Sequence, residues 1–319
     1  MRKLVPILRT RQSKFMLSLH KEISSIEIAV HQTSAEARAD IHRLDSRTLR
    51  ELSLLYEDTW LQLEDDMLAS ADRQNNLPAQ SLPEVRKRMD TSLTELHRGC
   101  QELLTTAMMS AAEIGTELWY VAGLKIMPKP LAESAVRYVQ AGADDQGLKL
   151  TDRLTRLAHQ TRQVIGTTLQ QQVMAANPAA QAIQTFRQQG KQPPTDLLAR
   201  MLLQQVDAVA CSLRTALLTA QDSPHRRMAQ LLRSGINRAH VEAYRVAMVA
   251  YPRAVGERLL LEPTNARKSL GEIQTQLDLY GLGKGVYPVG KAPWTQHPMA
   301  LNFIEAVFAD EIAKEPSLY

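Results

Sequence analysis

The feature that most constrains this chain is an absence: from Ile7 to Leu77 it contains neither glycine nor proline. Those two residues break helices, glycine through backbone entropy and proline through a missing N–H and a steric clash. Within the gap, Leu19, Ile23, Ile26, Val30, Ala37, Ile41, Leu44, Leu52 and Leu55 follow steps of three and four residues, with charges opposite. That spacing puts one apolar stripe on a helix. A helix from about Met16 to Ala71 would be on the order of 80 Å long at 1.5 Å per residue. It must pack along other long helices or project from the body.

Punctuation divides the rest. The break falls at Asn75-Asn76-Leu77-Pro78, and Ser81 with Glu84 three residues on forms a capping box for a second helix. Leu93, Leu96, Leu103, Leu104, Met108 and Ile114 carry that helix to about Leu124, giving a long helical hairpin over 1–125 that Pro128 and Pro130 end. Residues 126–222 read as a helical middle region. Helices are expected from about Leu131 to Gln140, from Leu150 to Ala176, and from a Thr195 cap after Pro193-Pro194 to Ala220. Ser223-Pro224 then pairs a capping side chain with proline at the first helical position, opening a helix that should reach Ala250 and stop before Pro252.

From Tyr251 the character changes. Prolines stand at 252, 263, 288, 293 and 298, and five glycines fall between 271 and 290. Ala254–Glu262 and Ala300–Phe308 are short and rich in Leu, Val and Phe, as strands are, whereas 272–279 looks helical. The chain is therefore expected to be mainly α: a long helical hairpin, a helical region, and a small α+β module over 223–319. Aromatic residues are only 5% of the 319, so the cores must be built from Leu, Ile, Val, Ala and Met, which suits helices.

Charge and motifs narrow the function classes. A net charge of +4 permits contact with nucleic acid without arguing for it. Residues 1–21 hold six basic side chains (Arg2, Lys3, Arg9, Arg11, Lys14, Lys21) and no acid. They fit DNA phosphates, an acidic protein surface or a solvated terminus equally, and nothing behind them reads as a signal peptide. No run of about 18 apolar residues occurs, so no membrane span is expected. Cys100 and Cys211 read as buried structural thiols of a reducing cytoplasm, with neither a disulfide framework nor a zinc set.

Gly281-Leu282-Gly283-Lys284-Gly285 lacks the strand before and the helix after that a phosphate loop needs, and reads as a turn. His20, His31 and His42 recur every 11 residues on one helix face, roughly 16 Å apart, too far to share a metal ion; solvated or interface positions are expected. Glu64-Asp65-Asp66 reads as a solvated face. No Ser-His-Asp set with supporting context, no HExxH and no carboxylate cluster at metal spacing is visible.

The informative stretch is Leu231–Ala247, which contains Arg238-Ala239-x-x-Glu242-Ala243-Tyr244 and precedes the first strand. Tyr280–Pro288 follows, then Ala292-Pro293-Trp294-Thr295-Gln296-His297-Pro298 and a closing Phe303–Ile312. This succession, over about residues 225–312, resembles the head-morphogenesis domain of minor head proteins from Mu-like and related tailed phages. Leu150-Thr151-Asp152-Arg153-Leu154 and the helix after it also look like the helical part of such proteins. Many members carry a Cys-x-x-Cys pair after the first strand and a Cys after the His-Pro step, resembling a zinc site. Here Thr264–Ser269 and Met299-Ala300-Leu301 stand there instead, so no metal or other cofactor is expected. Packing by Trp294, Phe303, Val307 and Phe308 must hold the module, with His297 a turn residue before Pro298.

The resemblance implies a structural protein and not an enzyme, inside the phage head and assembled in the host cytoplasm. Implied partners are the portal protein, the major capsid or scaffolding proteins, packaged DNA and other copies of itself, with no membrane. The arginines of the helix from 224 to 250 (Arg226, Arg227, Arg233, Arg238 and Arg245) are the candidate contacts, able to pair with phosphate or acidic protein, or simply solvated. Three rivals remain: a DNA-binding protein ejected with the genome, a coiled-coil scaffolding protein, and a hydrolase or nuclease using His297.

Overall fold

The computed structural model describes residues 5–72, 77–143, 147–188, 192, 194, 206–261, 277–292 and 301–312. The chain is mainly α, with a small three-stranded antiparallel sheet near its C-terminus. The expected long helix is there: α1 spans Val5–Leu68 without a break. Its buried positions, Val30, Ala37, Ile41, Leu44, Leu52, Tyr56, Trp60, Leu63 and Met67, continue the apolar stripe three turns past Leu55. Hydrogen bonds from Ser70 N–H to Met67 O and Ala71 N–H to Leu68 O tighten the chain as the helix ends.

A 3-10 turn, Ala79–Ser81, leads into α2, Leu82–Val121. The capping box is not formed. The Ser81 hydroxyl donates to Pro78 O at 2.8 Å instead, and Glu84 pairs with Arg88. Gly123 ends α2 at φ 103°, where Leu124 N–H reaches back to Trp119 O at 2.9 Å, the closure that a left-handed residue after a helix permits.

Helix α3, Pro128–Ala141, corrects the reading of its two prolines as breakers. Both sit in the first turn, where the missing N–H groups had no helical partner to lose. Helix α4, Leu150–Gln188, runs past the Ala176 limit and through Pro178. After it come α5, Val206–Arg214, and a π-helical turn at Thr215–Thr219. The expected Thr195 cap lies outside the described residues, as do Asn75, Asn76 and most of the stretch expected to be helical at 272–279. The Ser223-Pro224 opening is formed as expected: Arg226 N–H donates to Ser223 Oγ at 3.3 Å, and α6 spans Pro224–Val249.

Strands β1 (Ala254–Leu261), β2 (Val286–Tyr287) and β3 (Asn302–Phe308) form a sheet in the order β2-β1-β3, both pairings antiparallel. Leu261 lies opposite Asn302 and Ala254 opposite Phe308, with an irregularity between Ala254 and Gly256. A short helix, α7, Ala309–Ile312, follows β3.

The chain divides into two compact units. The first takes Met1–Ser46, Thr106–Ala141 and Arg233–Tyr319; the second takes Arg47–Thr105 and Gly142–Leu232. In each, α1 runs antiparallel along α2. In the first, Thr33 Oγ1 donates to Leu118 O at 3.4 Å; in the second, Ser92 Oγ donates to Asp66 Oδ2 at 3.3 Å. The core of the first unit joins Val30 and Ala37 of α1 to Trp119, to Tyr244 and Met248 of α6, and to Ile304 and Phe308 of β3. Tyr56, Leu93, Leu96, Leu154, Leu157 and Met228 enclose a small cavity of about 20 Å³ in the core of the second.

Candidate functional site

Helix α6 lies on the paired strands β1 and β3 in the first unit, and the residues of the Arg-Ala-x-x-Glu-Ala-Tyr stretch make the junction. Tyr244 is buried, and its hydroxyl accepts a hydrogen bond from Ala306 N–H at 3.0 Å. Burial pushes that phenol up to about 12. Its ring meets Trp119 edge-on at 5.3 Å. Ala243 and the backbone of Tyr244 face Gly115 of α2, where an added Cβ would stand only 2.6 Å from His240 O. The small residues of the stretch let two helices approach closely.

The same junction buries charge. Glu257, in the middle of β1, is 0% exposed. Its Oε2 accepts from Arg245 Nε and its Oε1 from Arg245 Nη2, both at 2.9 Å, and Oε1 also accepts from Ala292 N–H at 2.7 Å. Glu242 Oε1 takes Arg245 Nη1 at 2.9 Å. A two-pronged guanidinium–carboxylate pair fixes direction as well as distance. About two turns earlier, Asn237 Nδ2 donates to Asn302 O at 2.6 Å and Asn237 Oδ1 accepts from Asn302 N–H at 3.3 Å, locking α6 to the start of β3.

A second polar cluster ties α1 to the other side of β3. His31 faces Glu305 (Nδ1 to Oε1, 3.3 Å) and Glu311 (Nε2 to Oε1, 2.9 Å), with Arg38 3.8 Å from Glu305. The Glu305 hydrogen bond, helped by Glu311 and opposed by partial burial, raises His31 to about 9. The same contact holds Glu305 below the usual carboxylate range. Arg253 adds Glu27 at 2.8 Å and Asp310 at 2.7 Å. His240 is different: burial, with Arg38 nearby, pushes it down to about 4 and keeps its imidazole neutral. Its Nδ1 is buried and meets no partner among the described residues.

The five candidate arginines fall into two groups. Arg233 is half-buried and clasps Asp45 of α1, Nη2 to Oδ2 at 2.6 Å, and Arg245 is held inside as described. These two are internal struts. Arg226 and Arg227 are exposed; Arg226 touches Gln221 O, while Arg227 reaches Gln160 at 2.9 Å and Asp222 at 3.9 Å. Arg238 is half-exposed. Gly281, Gly283 and Gly285 adopt φ of 70°, 107° and 69°, so the glycine stretch is a turn, and it delivers Val286 to β2. His297, Pro298 and Trp294 lie outside the described residues, whereas Phe303, Val307 and Phe308 are buried as expected.

Two further expectations change. Cys100 is buried, and burial pushes its thiol up to about 12; Cys211, read as buried, is exposed on α5 because it sits opposite the buried Val209, Ala210 and Leu213. Of the spaced histidines, His31 and His42 turn toward the sheet, stacking near Phe308 (5.4 Å) and Phe303 (5.5 Å). Sequence reasoning missed Glu257, Asp45, Asn237 and His31 as organising residues. The one visible signal was Glu257, an acid inside a strand otherwise rich in leucine and valine.

Among the described residues, no group of three or more His, Cys, Asp or Glu side chains is placed to hold a metal, and no helix is long and apolar enough to cross a membrane. In the second unit, Arg86, Met89, Asp90, Arg162 and Gly166 line an open groove of about 290 Å³ between α2 and α4. Arg86 is tied across it to Gly166 O and Gln170. Comparison with known proteins returns no matching family model, no curated relative and no similar solved structure.

Proposed function

We propose that this chain is a structural minor head protein of a tailed bacteriophage, associating with the portal during procapsid assembly. The observation that supports this reading is the junction of α6 with the sheet. The stretch that resembles the head-morphogenesis domain is also the stretch whose side chains unite helix, strand and loop. Tyr244, Glu242, Arg245 and Asn237 each bond to β1, β3 or a neighbour that does. A module so tied is a rigid docking body, and its buried charges engage one another, as a structural part requires. Beside it, α1 and α2 offer extended faces to portal, coat or scaffolding subunits.

Contact with packaged DNA is the second reading, favoured by the exposed Arg226 and Arg227 at the start of α6. It calls for DNA affinity that falls steeply with salt, about 0.9 in log affinity per log salt for each phosphate neutralised. The main test is co-expression with the portal protein of the same phage. Co-purification of the two is expected, and a full-length chain that leaves the portal protein unbound would overturn the assignment.

A further inference from the structure

In the second unit, α1 turns Leu52, Tyr56, Trp60, Leu63 and Met67 inward, all buried. Its outer face carries Leu54, Leu61 and Leu68, which are 54%, 56% and 47% exposed. Single exposed leucines are ordinary. Three in a line at an interval of seven form the kind of seam that a second helix covers.

The borders of this seam are acidic. Glu51, Glu57, Asp58, Glu64 and Asp65 occupy positions three and four residues from the leucines. From 51 to 72 there are seven acids and no Lys or Arg. Among the described residues, Glu51 pairs with Arg47 at 3.7 Å on the surface, while Glu57, Asp58, Glu64 and Asp65 enter no ion pair. Two copies of such a seam would repel each other, because like charges would face across it. The helix that covers it must be basic.

The chain itself carries that complement. Residues 1–21 hold six basic residues and no acid, and in the sequence Leu8, Phe15 and Leu19 recur at steps of seven and four. Both segments belong to the same continuous helix, Val5–Leu68, and residues many turns apart on one helix cannot touch. Their pairing therefore takes place between chains. We propose that the Leu54–Leu61–Leu68 seam docks the basic N-terminal segment of a second copy of this chain. Because one helix carries both segments, two antiparallel chains satisfy the contact twice and close as a pair, whereas a contact made once per pair propagates into a ring or a filament. It stands independently of the phage reading.

Sedimentation of the full-length chain at about 0.05 M and about 0.5 M salt tests this, the higher salt shortening the screening length to a few ångströms. Self-association is expected, weakened roughly tenfold or more at the higher salt as its charge pairs are screened. Reversing the seam (Glu57→Lys, Asp58→Lys, Glu64→Lys, Asp65→Lys) or the N-terminal segment (Arg9→Glu, Arg11→Glu, Lys14→Glu) should give monomers. Mixing the two reversed chains should restore association. Leu61→Ser, on an exposed position, should abolish it while leaving the circular dichroism spectrum intact. A wild-type chain that stays monomeric at both salts would overturn the proposal. So would reversed chains that associate alone or fail to associate when mixed.

Discussion

Gly115→Ala is a direct test of how α6 is held. In the first unit α2 meets α6 at this position, and the added methyl would lie 2.6 Å from His240 O, 3.1 Å from Ala243 Cβ and 3.1 Å from Tyr244 N. Two of the three atoms belong to the main chain of a helix and cannot rotate aside, so α6 itself must move. Replacing glycine by alanine inside a helix should by itself gain about 1 kcal/mol. Overpacking costs about 1–3 kcal/mol, and a displaced backbone belongs at the top of that range. The expected net loss is about 2 kcal/mol. Gly166→Ala supplies the control, because that helical glycine has nothing within 4 Å of its absent methyl and should gain about 0.5–1 kcal/mol. For units of this size, each kcal/mol moves the melting midpoint by about 2–4 °C. Calorimetry should show Gly115→Ala melting about 4–8 °C lower and Gly166→Ala slightly higher. A Gly115→Ala protein as stable as the parent would refute the close approach and the account of Ala243 built on it.

Three further outcomes are expected. Glu257→Ala should cost about 3 kcal/mol in urea titrations, because it removes the two-pronged partner of the largely buried Arg245 and leaves it with Glu242; Glu257→Leu combined with Arg245→Met should recover most of that loss, and an equally damaging double variant would argue against the pair as the cause. Stability should be greatest near pH 6.5. His31, raised to about 9, contributes fully below 6.5 and loses its contribution as pH climbs through 9, on the order of 1 kcal/mol once solvent screening of this third-exposed side chain is allowed for. His240, lowered to about 4, contributes fully above 6.5 and loses about 3 kcal/mol as pH falls toward 4. Imidazole NMR titrations read both groups separately, and a His31 that titrates near 6.5 would remove the alkaline limb. Finally, a chelator should leave the melting midpoint unchanged, since packing by Phe303, Val307 and Phe308 holds the module; a drop on adding chelator would reveal a bound metal.

Where local chemistry decides, the sequence was a good guide. Ser223 and Pro224 open α6 as read, because a cap and a first-turn proline act within four residues. The positive-φ glycines before β2 behave likewise. Local signals misled where one residue type serves two purposes. Pro128 and Pro130 start a helix as readily as they end one, and Pro178 lies within α4. Ser81 found a carbonyl nearer than the amide it was expected to cap. Cys211 has small apolar neighbours in sequence, yet on a nine-residue helix those neighbours point elsewhere.

By itself the sequence determined the element types: a long α1 from an unbroken stripe, helices bounded by caps and prolines, and two strands with a glycine turn between them. These follow from periodicity and turn chemistry, which act over a few residues. Only the tertiary structure decided which charges are internal. Arg233 and Arg245 share a helix with Arg226 and Arg227 and look the same in sequence, but Asp45 and Glu257, distant or across a turn, fold against the first two alone. Only the tertiary structure, too, made α1, α2 and α6 contribute to both compact units. Asp45 lies 188 positions from Arg233, and Glu257, though only 12 from Arg245, meets it because the chain turns back between α6 and β1.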